Sequence, residues 1–303
     1  MSQSLQRIRV LSDGRRGHEN QSLGLAEALA RRTGATVDVV RLPPTFLPWP
    51  RFRAALNGDP APPQLVIGAG HKTHLPLWYA ARRWRIPSVV IMRPTWPLAL
   101  FSLCLAPRHD WGRRPPHPKV VVTLGALNRL PEERPPKEPL GMILLGGPSR
   151  HHGWAGDKLP EAIAEVVAAR PELRWTVTDS PRTPAGFLEA VEARLPEVEA
   201  VSWRRTDPGW LPDRLLRAEE AWVTRDSVSM IFESLTAGAR TGLLPAPVLR
   251  PREGPPRAVE DLIAGGWVAP YEQWRTRREP LPPPRPLHET GRCADLILDR
   301  FFR

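Results

Sequence analysis

The sequence predicts an α/β protein made of two tandem units, each built on a parallel sheet. Short apolar runs alternate with helical patterns from the start of the chain, which is typical of parallel strands joined by crossover helices. The alternation stops at residues 129–140, which are rich in proline and charge, and then begins again. With 303 residues, 41% of them hydrophobic, the chain can fill a core in each of two domains.

The strands of the first unit are predicted from the runs RIRVLS, VDVVRL, QLVIGAG, PSVVIM and KVVVTLG. Several of these are continuous valine, isoleucine and leucine, as in parallel strands that are buried on both faces. Helices are predicted after the first run, as far as Ala30, and near residues 74–84.

The second unit is predicted from the runs GMILLGGPS, LRWTVTDS, VEAVSW, EEAWVTRDS and TGLLPA. Helices are expected at about 157–170, 184–194 and 227–238. We place the domains at residues 1–135 and 136–285, because proline and charge over 129–140 cannot continue a helix or a central strand. After a second proline run, residues 286–303 form an amphipathic segment that we expect to pack back onto a domain as a helix.

The formal net charge of +11 comes almost entirely from arginine and favours anionic partners, although a compositional bias explains much of it equally well. The two cysteines, Cys104 and Cys293, are too few for a disulfide framework or a zinc cluster. No apolar signal region is found at the start, nor any run of about 20 apolar residues. We therefore expect a cytoplasmic protein that is at most peripheral on a membrane.

The first glycine-rich loop, DGRRGHENQ at residues 13–21, follows the first predicted strand. It lacks the G-x-G-x-x-G spacing, so a nicotinamide cofactor is not supported. Open α/β sheets bind ligands at the carboxyl ends of their strands, and we expect a polar ligand here. The alternative is a helix capped by Asp13 or Asn20, with solvated arginines. The candidate residues are Asp13, Gly14, Arg15, Gly17, His18, Asn20 and Gln21.

A second loop, GAGHKTHLP at residues 68–76, follows a later strand of the same unit, so both loops are expected at one sheet edge. His71 and His74 are spaced to ligate a metal from one helix face, but no third ligand is evident. A polar substrate pocket is the preferred interpretation. Its residues are His71, Lys72, Thr73 and His74.

The second unit has two comparable loops. In LGGPSRHHGW, residues 145–154, two glycines are expected to present backbone amides to a phosphate, with a serine and an arginine as further donors. The pattern G-x-S-x-G is not met because His151 occupies its last position, which makes a hydrolase a minor alternative. TDSPRTP, residues 178–184, adds hydroxyls and another arginine. The candidate residues are Gly146, Gly147, Ser149, Arg150, Ser180, Arg182 and Thr183.

The third loop of this unit leads into the predicted helix at 227–238. Asp226 or Ser227 is expected to cap that helix, and its free amides near Ser227, Ser229 and Met230 form an anion site. Glu233 lies farther along, where a carboxylate can accept hydrogen bonds from ribose hydroxyls. One helix would then hold a diphosphate and a ribose; the alternative is an ordinary amphipathic helix with its carboxylate in solvent.

Five motifs, DGRRGHENQ, GAGHKTHLP, LGGPSRHHGW, TDSPRTP and TRDSVSM, occur in this order over most of the chain. Together they resemble the mitochondrial-fission ELM-one family, whose bacterial members are regarded as candidate glycosyltransferases. That family is similar to GT-B glycosyltransferases such as the enzyme that adds GlcNAc to the lipid-linked peptidoglycan precursor. The resemblance implies two Rossmann-like domains facing a cleft. The first would take the acceptor, the second the nucleotide sugar, and the terminal helix would cross back to the first.

The resemblance also implies roles for individual residues. Glu233 matches the ribose-binding position, and the amides near Ser227 match the diphosphate position. His18 matches a histidine of the precursor enzyme and is the candidate base, since an imidazole can take a hydroxyl proton near neutral pH; Asp13 is the second candidate. Because no D-x-D motif is present, no metal is expected, and helix amides with Arg150 or Arg182 would supply the positive charge.

The implied function is a metal-independent, inverting transfer of sugar from a nucleotide-diphosphate donor to a glycan or lipid-linked acceptor in cell-envelope synthesis, such as lipopolysaccharide core. Aromatic and basic stretches at 45–56, 77–85 and 93–101 are candidates either for seating on an anionic inner-membrane leaflet or for core packing. The alternative function is a non-catalytic interaction adaptor on the same fold. Nucleic-acid binding is not expected, because the net charge is the only feature that suggests it and no nucleic-acid-binding motif is recognised.

Overall fold

The computed structural model describes residues 4–42, 62–112, 114–115, 117–251 and 254–303. The chain divides into two compact units. Unit 1 comprises Met1–Pro131 together with His288–Arg303, and unit 2 comprises Glu132–Leu287. The divisions therefore fall within a few residues of 135/136 and 285/286, the positions drawn from the sequence.

Unit 1 contains a six-stranded parallel sheet in the order β2-β1-β3-β4-β5-β6. Among the described residues of this unit, three helices and two 3-10 turns, at His71–Thr73 and Leu98–Leu100, connect the strands. The strands are β1 (Arg7–Ser12), β2 (Thr36–Arg41), β3 (Leu65–Ala69), β4 (Ser88–Ile91), β5 (Leu103–Pro107) and β6 (Val120–Thr123), and the helices are α1 (Arg16–Thr33), α2 (His74–Trp84) and α3 (Arg108–Trp111).

One central strand of unit 1, β5, was not predicted. Its sequence LCLAP is short and ends in proline, and the segment before it contains two further prolines, Pro94 and Pro97, so the run reads as a turn. In the structure all five residues are buried and pair with β4 and β6. Burial between two neighbouring strands thus overrides a weak local signal.

Unit 2 contains a second parallel sheet, in the order β12-β11-β10-β7-β8-β9. The fold class predicted from the sequence, an α/β protein with two parallel sheets, is confirmed. The strands are β7 (Glu138–Leu144), β8 (Arg174–Thr178), β9 (Glu199–Val201), β10 (Ala218–Thr224), β11 (Arg240–Leu244) and β12 (Ala269–Pro270), and the helices are α4 (Leu159–Ala169), α5 (Phe187–Arg194), α6 (Trp210–Arg217), α7 (Val228–Ala237), α8 (Gly254–Ala264) and α9 (Tyr271–Arg277).

The last helix of the chain, α10 (Glu289–Phe301), packs against α1 inside unit 1. Its apolar face buries Cys293, Ala294 and Ile297 in the core of that unit. The backbone amide of Asn128 donates to Thr290 Oγ1 at 3.1 Å, and the same hydroxyl donates back to the Asn128 carbonyl at 3.1 Å. Unit 1 is therefore built from both ends of the sequence.

No helix among the described residues combines the length and the apolar character that crossing a bilayer requires.

Candidate functional site

A histidine and a buried carboxylate form a hydrogen-bonded pair at the carboxyl end of β1. His18 Nδ1 lies 2.9 Å from Asp13 Oδ2, and the side chains are 17% and 1% exposed, respectively. In the neutral imidazole the Nδ1–H donates to the carboxylate, which leaves the Nε2 lone pair available to accept a proton. An aspartate orienting a histidine in this way is a common arrangement for general-base chemistry.

The turn between β1 and α1 holds this pair in place. The Arg15 amide donates to Asp13 Oδ1 at 3.1 Å. Arg15 is the N-cap residue of α1, and no side chain caps that helix, so the alternative in which Asp13 or Asn20 serves as the cap is wrong. The carboxylate faces His18 instead.

The loop after β3 closes against the same pair. Gly70 has a φ of +86°, and a Cβ at this position would lie 2.5 Å from His18 Nδ1 and 3.0 Å from Asp13 Oδ2. Only a glycine allows this backbone to approach the imidazole so closely. The two sequence motifs of unit 1 were expected at one sheet edge, and they are in direct contact because β1 and β3 are neighbouring strands.

The remaining candidates of the second motif separate into two groups. His71 and Lys72 are exposed, whereas Thr73 and His74 are buried. The His74 ring packs edge-on against Phe101, with centroids 5.5 Å apart. Burial, with a smaller contribution from His71, lowers the pKa of His74 to about 4. His74 is therefore a neutral side chain packed against an aromatic ring.

The described residues include no cluster of three or more His, Cys, Asp or Glu placed to hold a metal ion.

In unit 2 the glycine loop after β7 is held by side chains from the end of β10 and from the turn that follows it. The Gly146 amide donates to Thr224 Oγ1 at 2.7 Å, and the Gly147 amide donates to Asp226 Oδ2 at 2.9 Å. The prediction that these two amides are free to meet a phosphate is therefore wrong for this structure. A Cβ at Gly147 would collide with the backbone of Arg182, so this glycine allows close packing of loops.

The TDSPRTP motif completes the same cluster. Thr183 Oγ1 and Ser180 Oγ donate to the Gly146 carbonyl at 2.6 and 3.1 Å. Arg182 Nη1 lies 2.8 Å from Asp226 Oδ2 and donates to the Gly147 carbonyl at 2.6 Å. The arginine side chain is 39% exposed and the aspartate 0%, so a solvent-accessible cation neutralises a fully buried carboxylate.

Two further candidates of the loop after β7 serve its local structure. Ser149 Oγ accepts hydrogen bonds from the amides of His151 and His152, both at 3.2 Å. Arg150 Nε donates to His151 Nε2 at 2.8 Å. The serine hydroxyl thereby shapes the turn, and the arginine lies against a histidine ring.

Helix α7 begins without a side-chain cap. Ser227 is its N-cap residue but makes no capping hydrogen bond, and Asp226 binds Gly147 and Arg182, so the predicted cap is wrong. The first amide bonded within the helix after the cap belongs to Ile231, which donates to the Ser227 carbonyl at 3.0 Å. The preceding first-turn amides, including those of Ser229 and Met230, have no acceptor within the helix.

Such a helix start attracts anions, because its amides and the helix dipole both present positive charge. Ser229 is exposed at this end, and Glu233 follows one turn later as a partly buried residue. A phosphate at the first turn and a ribose near Glu233 fit this spacing.

The sequence analysis did not single out His151 and His152 as candidate residues. Their only signal in the sequence is a pair of adjacent histidines in the loop after β7.

Comparison with known protein families identifies the family of the chain. The model of the family described as Mitochondrial fission ELM1 matches residues 16–301. The chain belongs to this family. The resemblance drawn from the five motifs is thereby confirmed. No curated protein sequence matches this ELM1-family chain significantly.

Solved structures resemble this ELM1-family protein over nearly its whole length. MurG from Acinetobacter baumannii is 15% identical, with 97% of this chain and 99% of MurG covered and a TM-score of 0.56. The UDP-GlcNAc 2-epimerase from Neisseria meningitidis, bound to UDP-GlcNAc, is 15% identical, with 97% and 98% covered and a TM-score of 0.53. MnaA from S. aureus, bound to UDP, is 13% identical, with 97% and 96% covered and a TM-score of 0.51. At these identities the likeness shows the fold, which is the GT-B fold.

Proposed function

We propose that this protein is a glycosyltransferase that moves a sugar from a nucleotide-diphosphate donor to a glycan or lipid-linked acceptor. The observation that carries the proposal is the Asp13–His18 pair, a preorganised base in a fold whose solved examples include proteins bound to UDP and UDP-GlcNAc. A sugar hydroxyl must lose its proton as it attacks the anomeric carbon, and a positioned imidazole contributes about 10²–10⁴-fold to such a step.

The roles follow from the geometry of the pair. His18 Nε2 accepts the proton of the acceptor hydroxyl, and Asp13 stabilises the imidazolium that forms. A single displacement of this kind inverts the anomeric configuration, because the hydroxyl attacks opposite to the departing diphosphate. Asp13 is a poorer base than His18, since its side chain is almost fully buried and already accepts two hydrogen bonds.

The donor is assigned to unit 2. The first-turn amides of α7 meet the diphosphate, Glu233 accepts hydrogen bonds from the ribose, and Arg182 or Arg150 supplies the cation that the departing diphosphate needs. We propose that the reaction needs no metal, because these groups supply the positive charge. The donor nucleotide is proposed to be a uridine diphosphate sugar, since the bound ligands of the similar structures are of this type.

The acceptor is proposed to be a lipid-linked glycan of cell-envelope synthesis, reached from the cytoplasmic face of the membrane. Within the stretch 93–101, Trp96 is 37% exposed whereas Phe101 is buried, and within 77–85 Leu77 is buried. These stretches therefore combine core positions with surface aromatics. The stretch 45–56 lies outside the described residues. Exposed arginines beside Trp96 and at the end of α2 would attract an anionic leaflet.

The proposal is tested by nucleotide binding and by turnover. UDP should raise the melting temperature more than GDP, ADP or CMP, and Glu233→Ala should abolish the shift. Glu192→Ala, which removes an exposed carboxylate from α5, is the matched control and should keep the shift. An unchanged melting temperature with all four nucleotides would refute donor binding.

The base is tested separately. His18→Ala should lower turnover of a UDP-sugar at least about 100-fold while leaving the dissociation constant for UDP unchanged. His117→Ala, at a histidine outside both motifs, is the control. Turnover equal to wild type in His18→Ala would remove the assigned base. Tight UDP binding with no transfer to any envelope acceptor would favour the adaptor function.

A further inference from the structure

His152 and Asp226 are buried side chains that carry polar atoms with no hydrogen-bond partner among the residues that the structure describes. Both ring nitrogens of His152 and the Oδ1 atom of Asp226 belong to this set, and the His152 residue is 1% exposed. A buried polar atom without a partner is destabilising because its hydration is lost without replacement, and native structures contain few such atoms. The two groups are chemically complementary, because a ring N–H is a donor and a carboxylate oxygen is an acceptor.

The backbone fixes the position of His152. Residues His152 and Val248 form an antiparallel bridge, the Gly153 amide donates to the Pro247 carbonyl at 2.8 Å, and the Leu249 amide donates to the His151 carbonyl at 2.8 Å. The backbone around His152 is therefore tied to residues 247–249, and its imidazole lies close enough to Asp226 for the two side chains to interact electrostatically.

In the structure the charge of Asp226 is balanced by Arg182, whose Nη1 lies 2.8 Å from Asp226 Oδ2. Arg182 is also a cation assigned to the donor diphosphate under the proposed function. If its guanidinium turns to the diphosphate, the buried carboxylate keeps only the Gly147 amide as a partner. A buried charge that loses its partner is strongly destabilising, so a replacement cation is needed.

We propose that His152 takes up one proton when a nucleoside diphosphate binds and replaces Arg182 as the cation that faces Asp226. This inference rests on the proposed function. Arg182 moves from Asp226 to the diphosphate, the imidazole takes a proton from solvent, and its N–H donates to Asp226 Oδ1. When the nucleotide leaves, Arg182 returns and the proton goes back to solvent.

The charges around the ring support this exchange. Burial lowers the pKa of His152; Asp226 opposes this shift, and Arg225, His151 and Arg182 reinforce it. Departure of Arg182 and arrival of a diphosphate both favour the protonated ring. The other charged groups nearby are already engaged, since Arg225 pairs with Glu260 of α8 and Arg150 donates to the His151 ring.

The inference is tested by calorimetric titration of the full-length protein with UDP at pH 7, in buffers of different ionisation enthalpy. The dependence of the observed heat on the buffer gives the number of protons exchanged. We expect uptake of up to about one proton per UDP, and an affinity that strengthens by up to about tenfold per pH unit as the pH falls. The second pKa of a phosphate lies near 6, and a cationic site favours its deprotonated form. If the phosphate of UDP, and not His152, changed protonation on binding, the titration would show release of protons instead of uptake.

His152→Gln should abolish the uptake and flatten the pH dependence of UDP affinity, whereas the matched control His151→Gln should retain both. Uptake that persists in His152→Gln, or that is lost only in His151→Gln, would overturn the inference. UDP binding without proton uptake in the wild-type protein would also overturn it and would leave the proposed function standing. Failure of UDP and every other nucleotide to bind would refute the proposed function, and this inference with it.

A second measurement covers the case in which His152→Gln does not fold. In the wild-type protein, one histidine Cε1–H resonance should move to the protonated position as UDP is added at pH 7. In Arg182→Gln the same resonance should already be at the protonated position without UDP, because Asp226 has lost its cation. A set of histidine resonances that UDP and Arg182→Gln both leave unchanged would contradict the exchange.

Discussion

Lowering the pH should destabilise unit 1 through a single side chain, His74. Its pKa is about 4 in the folded protein against an ordinary value of 6.5, chiefly because the ring is buried. Between these two values the unfolded chain binds more protons than the folded one, so the free energy of unfolding falls as the pH falls through this window. For these pKa values, acidification from pH 8 to pH 5 should lower the free energy of unfolding by about 2 kcal/mol.

The assay is urea unfolding of wild type and His74→Met at pH 8, 6.5 and 5, followed by tryptophan fluorescence. Methionine keeps an apolar side chain against Phe101 but cannot titrate. The loss of stability between pH 8 and pH 5 should be about 2 kcal/mol smaller in His74→Met than in wild type. The control His117→Gln should keep the wild-type loss. An equal loss in wild type and His74→Met would refute the reasoning.

Three further changes have defined outcomes. Asp13→Asn should lower turnover of a UDP-sugar at least about 100-fold without changing UDP affinity, because His18 loses the carboxylate that orients it; equal turnover by steady-state assay would contradict this. Gly147→Ala should lower the melting temperature and weaken UDP binding, measured by calorimetry, because the new Cβ meets the Arg182 backbone. Deleting residues 289–303 should abolish the calorimetric transition of unit 1 and leave that of unit 2, whereas loss of both transitions would show that the units do not melt separately.

The order of strands and helices could largely be predicted from the sequence, because buried parallel strands are continuous apolar runs. What escaped prediction was set by tertiary contacts. Strand β5 is held by its two neighbours although its own sequence ends in proline. Helix α8 opens with GPP, a sequence that reads as a turn, although proline is also accepted in the first turn of a helix.

For the candidate residues, the sequence allowed a prediction of which loops lie at one sheet edge, but not of the contacts between individual side chains. The loops at Asp13 and Gly70 could be assigned to one sheet edge because both follow strands of one parallel sheet, whereas the hydrogen bond between Asp13 and His18 is seen only in the structure. In unit 2, the sequence suggested free glycine amides and an aspartate cap. The structure instead pairs Gly147 with Asp226, a contact between loops 79 positions apart that no local pattern encodes.

The docking of α10 onto α1 has a consequence for biosynthesis. During translation the first 131 residues leave the ribosome long before the helix that covers their apolar face, which includes Leu25 and Leu29 of α1. Unit 2 is a continuous stretch of chain, so its core does not wait for a distant segment of the sequence. Unit 1 therefore completes its core only after unit 2 and α10 have been synthesised, and until then its exposed apolar surface is a natural client for a chaperone.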